Sequence, residues 1–221
     1  MFVLLLVAGM IFGPGLNPPS IDDGPAQVTR YVKDNHDGIQ GVSALDFGAG
    51  FAFLFFLGSI VLASRAAEGA PGRLSAVAAA GGIAFVAIAG VGVAAVNTAA
   101  FQLDNGAGNA STVTALWDLG QMSFVIMGFA SAALLWAVGL LAIRFGALPA
   151  ALGVYSLALA AYTFVIALFG TFSESGAFSP RDGLLGEIGL FLFLVWVAAV
   201  SAALVASPVY NVARGGRARR R

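Results

Sequence analysis

The chain of 221 residues contains no cysteine. Disulfides, thiolate metal sites, iron–sulfur clusters and cysteine nucleophiles are thereby excluded together. It carries a single histidine, His36, so neither a bis-histidine haem within one chain nor a serine–histidine–acid set inside the apolar stretches can form. Its single lysine, Lys33, lies outside those stretches, which excludes a retinal Schiff base. Charge is scarce as well. Only 10% of residues are charged, against about 25% in soluble domains. The formal net charge is zero, so no basic field points to nucleic acid. No cofactor is expected.

Apolar residues fill the space that charge leaves. They make up 59% of the chain, and the mean hydropathy is +0.91. Five apolar stretches, roughly 39–64, 74–99, 113–143, 148–171 and 184–207, are long enough to span a bilayer as helices and too long for barrel strands. Gly69-Ala70-Pro71-Gly72, Asn105-Gly106, Gly146 to Pro149 and Ser179-Pro180 punctuate them. Met1–Phe12 is apolar but reaches Gly13-Pro14-Gly15 after only twelve residues, short of the roughly twenty a span needs. It reads as the end of a first spanning helix whose beginning is lost. A short, partly inserted helix is the alternative.

The expectation is an all-α membrane protein of six transmembrane helices forming three hairpins, at about 1–66, 73–144 and 147–207. These make one bundle over 1–207, followed by a basic tail, 208–221. Arg65, Arg73, Arg144, Arg214, Arg217, Arg219, Arg220 and Arg221 fall on one side, and Arg30, Lys33 and Arg181 on the other. That bias puts both termini in the cytoplasm. The tail is expected to sit against anionic lipid headgroups. In the first outer loop, Gly24-Pro25 starts a short helix on which Val28, Tyr31 and Val32 share a face opposite Arg30 and Lys33.

A carboxylate with glycine two residues on recurs near the start of three spans: Asp46-Phe47-Gly48, Asp118-Leu119-Gly120 and Glu187-Ile188-Gly189. The acids are 72 and then 69 residues apart, which suggests a threefold hairpin repeat. At about 100° per residue, acid and glycine lie on nearly opposite helix faces. The expected arrangement packs each glycine on its hairpin partner and turns the acid to a central vestibule near the outer boundary of the membrane. There Asp46, Asp118 and Glu187, with Gln121 one turn beyond Asp118, form the candidate ligand- or cation-binding set. The competing reading ties each acid to loop groups such as Arg30, Lys33 or Arg181. Gly90/Ala94 and Gly128/Ala132 are small-xxx-small pairs suited to close helix contact. Asp34, His36 and Asp37 offer a loose metal contact, although no calcium-loop register fits them. Asn109-Ala110-Ser111 is a glycosylation sequon where the cell uses such sites.

The Ala/Gly/Val/Arg-rich composition, the short outer loops and the three helical acid-x-Gly sites resemble uncharacterised multi-pass integral membrane proteins of high-GC bacteria. That resemblance implies residence in the bacterial inner membrane and carries no activity with it. Two function classes follow from the residues. One is a small transporter, channel or ligand-binding protein using the carboxylates. The other is a non-catalytic accessory or scaffold subunit whose spans pack against a protein partner. A membrane enzyme ranks third.

Overall fold

A computed structural model describes residues 1–13, 19, 23–104, 106, 108–173, 176–179 and 184–206. The expected roles of Arg181 and the basic tail 208–221 lie outside the described residues. Everything regular among the described residues is helical: α1 (Phe2–Phe12), α2 (Pro25–Asp34), α3 (His36–Glu68), α4 (Arg73–Asp104), α5 (Ala110–Phe145), α6 (Ala150–Gly170) and α7 (Leu184–Ala206). Five of these, α3 to α7, are long and apolar enough to cross a membrane, so the chain is an all-α, membrane-embedded protein. The sixth span expected at the start is an eleven-residue helix, α1.

The long helices overrun the stretches expected of them. α3, α4 and α5 have 33, 32 and 36 residues. At about 1.5 Å per residue each is roughly 50 Å long, beyond the ~30 Å hydrocarbon core. The reason is local. Polar residues such as His36, Gln102 and Asp104 end the apolar pattern without ending the helix, since none of them breaks it. The breaks come where sequence demands them. Asn109 caps α5 by accepting from Thr112 N at 2.9 Å, a structural role for the sequon asparagine. Gly146 ends α5 in the left-handed region at φ 65°.

The turn between α3 and α4 is held by Glu68. Its carboxylate accepts from Leu74 N at 2.9 Å, Ser75 N at 2.9 Å and Ser75 Oγ at 2.6 Å. It thereby satisfies amides that the start of α4 leaves without helical partners. Glu68→Ala is expected to lower the unfolding midpoint in detergent, and Glu68→Gln to lower it less; equal midpoints for all three proteins would refute the capping role.

Helices pack mainly through glycine. α4 lies along α5, and α5 along α6, so α5 is the spine of the bundle. A Cβ on Gly81 would meet the Leu134 backbone N at 2.7 Å and the Ala130 carbonyl at 3.0 Å. Gly92 and Gly120 face each other across the same seam, and Gly139 meets Gly153 on α6. Gly81→Ala forces backbones apart and is expected to cost about 1–3 kcal/mol, measured as a lowered unfolding midpoint. Of the two expected small-residue pairs, Gly128 does pack on α6, against Ala167 and Thr163. Gly90 does not pack: none of the described residues lies within 4 Å of its added Cβ, because the register of α4 turns Gly81, Gly82 and Gly92 to the neighbours instead.

α7 closes the bundle. Tyr155 and Tyr162 of α6 donate their hydroxyls to the carbonyls of Leu192 and Leu185 at 2.7 and 2.8 Å. Trp196 donates its indole N–H to Ser156 Oγ at 2.7 Å. Such interhelical bonds hold helices where burial of apolar surface gives no drive. α1, α3, α4 and α7 then meet in a ring cluster. Phe53 lies 5.0 Å from Phe2 and 5.2 Å from Phe85, and Phe193 stacks on Trp196 at 5.5 Å. α2 caps one end of the bundle. Val28 and Val32 are fully buried against Ala99, Ala100, Val113 and Trp117, the face expected from sequence. Tyr31 sits edge-on to Trp117 at 5.5 Å, and burial pushes its phenol above the ordinary range.

Candidate functional site

The three acid-x-Gly sites share one structural feature. Gly48 faces Leu5 of α1, Gly120 faces Val96 and Gly92 of α4, and Gly189 faces Tyr162 of α6. Each motif glycine therefore packs on the partner helix of its hairpin. The carboxylates do not share a common environment. Glu187 is exposed in the first described turn of α7, where the helix dipole favours a negative charge. Asp118 is partly buried on α5 and engaged in a polar interaction. Gln121 is partly buried one turn along the same helix. Among the described residues, no group of three or more histidine, aspartate or glutamate side chains is arranged to hold a metal ion.

Asp46 differs from the other two. It lies three residues from Ser43 and Ala49 and seven from Ile39 and Phe53, all of them buried, so it belongs to the inward stripe of α3. It is partly buried, with no hydrogen-bond or ion-pair partner among the described residues. What stands over it is glycine. An added Cβ on Gly9 would lie 3.7 Å from both Asp46 Oδ1 and Val42 Cγ1. One turn on, Gly13 is pressed against Val42, where an added Cβ would come within 2.9 Å of Cγ2. Gly9 and Gly13 thus give α1 a smooth edge that lets it close over α3 at the carboxylate. The expectation had Asp46 in a threefold vestibule. The structure sets it in a seam between α1 and α3, and the sequence signal for that seam was the Gly9-x-x-x-Gly13 pair.

Two features bracket this position. Toward the α2 end, a cavity of about 600 Å³ is lined by Gly13, Lys33, Asp34, His36, Asp37 and Asp104, among others. His36 bonds Asp37 Oδ1 and Gln40 through its two ring nitrogens, each at 3.1 Å, and Asp34 pairs with Arg30 at 3.7 Å. His36 and Asp37 are thus engaged with each other and Asp34 with Arg30, and among the described residues the three are not gathered into a metal site. Toward the other end, seven residues or about 10 Å along α3, the rings around the fully buried Phe53 close the core. Beyond them a crevice of about 240 Å³ lies beside Ala52, Phe55, Phe56 and Ser201.

No protein family matches the chain, and comparisons with curated proteins and with solved structures found no match either.

Proposed function

We propose that this protein is a small ion-coupled transporter of the bacterial inner membrane, working through Asp46. The observation that carries the proposal is a partly buried carboxylate on the inward stripe of a spanning helix with no counter-charge among the described residues. Ionisable groups in spans are costly and by default mark ion pathways. A carboxylate without a partner takes its compensating charge from outside the protein, as a cation or a proton. The setting supports transport over static binding: a polar cavity lies on one side of the carboxylate and a closed aromatic layer on the other. The arginine bias supports an α2 end that faces outward, cytoplasmic termini and a basic tail 208–221 against anionic headgroups. The shared packing of Gly48, Gly120 and Gly189 supports a threefold hairpin repeat, in which the first site has kept an ion-binding acid.

The test compares cation flux into liposomes carrying the wild-type chain, Asp46→Asn, Asp118→Asn or Glu187→Gln. Asp46→Asn is expected to lose flux at least tenfold while Glu187→Gln keeps it. Equal flux in wild type and Asp46→Asn would remove the proposal. An accessory-subunit reading has one observation in its favour. The open face of Gly90 and the exposed Ala94 leave a close-contact helix surface without a partner among the described residues. Recovery of a stoichiometric protein partner in mild detergent, together with absent flux, would favour it.

A further inference from the structure

We propose that the ion taken up by Asp46 is a proton, and that it arrives from the cavity at the α2–α3 elbow along the glycine edge of α1. This rests on the transport reading above. The first ground is the donor set. A dehydrated hard cation needs about six or more oxygen ligands. On the α1 side Asp46 Oδ1 faces Gly9, which brings no side-chain oxygen, and among the described residues no group of three or more histidine, aspartate or glutamate side chains gathers around it. A proton needs one oxygen and no coordination shell. The second ground is the route. The cavity wall includes Gly13, Gly13 touches Val42, and Val42 and Asp46 both face Gly9. These contacts link the cavity to the carboxylate over a little more than two helical turns of α3 from Gly38, roughly 12 Å.

The charged groups around that route are few. α1 brings no titratable side chain. α4 brings none between Arg73 and Asp104, and Asp104 lies at the cavity. α2 brings Arg30, Lys33 and Asp34, α3 itself His36 and Asp37, α5 Asp118 and α7 Glu187. At the cavity, Asp34, Asp37 and Asp104 outnumber Lys33, so its field draws positive charge. The step is a plain protonation. A proton from water forms an O–H bond on a carboxylate oxygen of Asp46, giving the neutral acid. The same bond breaks when the proton leaves to water on the opposite face, and no electrons change hands.

Gly9 supplies a variant that spares the fold. A methyl there sits at 3.7 Å from its neighbours, an ordinary contact, yet covers Asp46 Oδ1. The experiment uses the full chain in liposomes with a pH-sensitive dye inside and an imposed membrane potential. Sodium and potassium are replaced by a bulky organic cation wherever the potential does not require them. Wild type is expected to move protons under these conditions, Asp46→Asn to fall at least tenfold, and Gly9→Ala to slow severalfold with an unchanged unfolding midpoint. An Asp46-dependent flux that requires sodium or potassium and leaves the dye silent would overturn the proton while the transporter reading stands. Full-rate proton flux in Gly9→Ala would overturn the route. The absence of any Asp46-dependent flux would remove both this inference and the transport reading.

Discussion

Asp46→Asn is expected to separate stability from function, raising the unfolding midpoint in alkaline buffer while abolishing flux. The substitution is isosteric, so packing against Gly9 and Val42 is kept. What changes is charge. In alkaline buffer an ordinary carboxylate is ionised, and here it has no partner among the described residues to offset its lost hydration. A neutral amide carries a smaller desolvation cost. The expected direction is opposite to that for a structural ion pair, where removing one partner strands the other and destabilises by about 3–5 kcal/mol. Glu187→Gln provides the contrast, because an exposed first-turn acid loses only its favourable interaction with the helix dipole, about 0.3–1 kcal/mol. Thermal unfolding in detergent across alkaline and acidic buffers checks the sign. A midpoint lowered in Asp46→Asn would identify Asp46 as a structural group.

Trp196→Ala is expected to show the largest stability loss of any single substitution in the chain, about 3–5 kcal/mol. Trp196 is fully buried, stacks on Phe193, meets Phe56 edge-on at 5.9 Å and donates to Ser156. Its removal leaves a cavity where α3, α6 and α7 meet and cuts a bond between α6 and α7. Trp196→Phe keeps a ring and loses the bond. The hydroxyl of Ser156 remains satisfied by the Leu152 carbonyl at 2.7 Å, so the penalty should be near 1 kcal/mol, the scale of an interhelical bond in a membrane. Denaturant titration of the three proteins in one detergent checks both values. A loss in Trp196→Ala no larger than in Trp196→Phe would show that the bond, not the ring packing, carries the contact.

The fold was legible in the sequence where a residue type dictates geometry. Pro25 and the Val28, Tyr31, Val32 face gave α2, and the long apolar stretches gave α3 to α7. Helix ends were less legible. Terminal polar turns such as His36–Gly38 and Gln102–Asp104 resemble loops in hydropathy but satisfy their backbone bonds as helix. The acid-x-Gly recurrence was read correctly in its glycines, because a missing side chain fixes which face approaches a neighbour. It was read less well in its acids. Whether a carboxylate finds a partner depends on side chains far away in sequence, and spacing holds no record of them. Asp46 stands apart through Gly9 and Val42, and only the crossing of α1 over α3 brings Gly9 to it.

The chain's lack of cysteine makes one measurement direct. Asp46→Cys and, beyond the ring cluster, Leu57→Cys each introduce a single thiol, to be challenged in oriented vesicles with a membrane-impermeant thiol reagent. The account predicts that Asp46→Cys reacts from the α2 face and not from the basic face, and that the deeply buried Leu57→Cys reacts from neither. An Asp46→Cys thiol that is inert to the water-soluble reagent from the α2 face, or equally reactive from both faces, would contradict it.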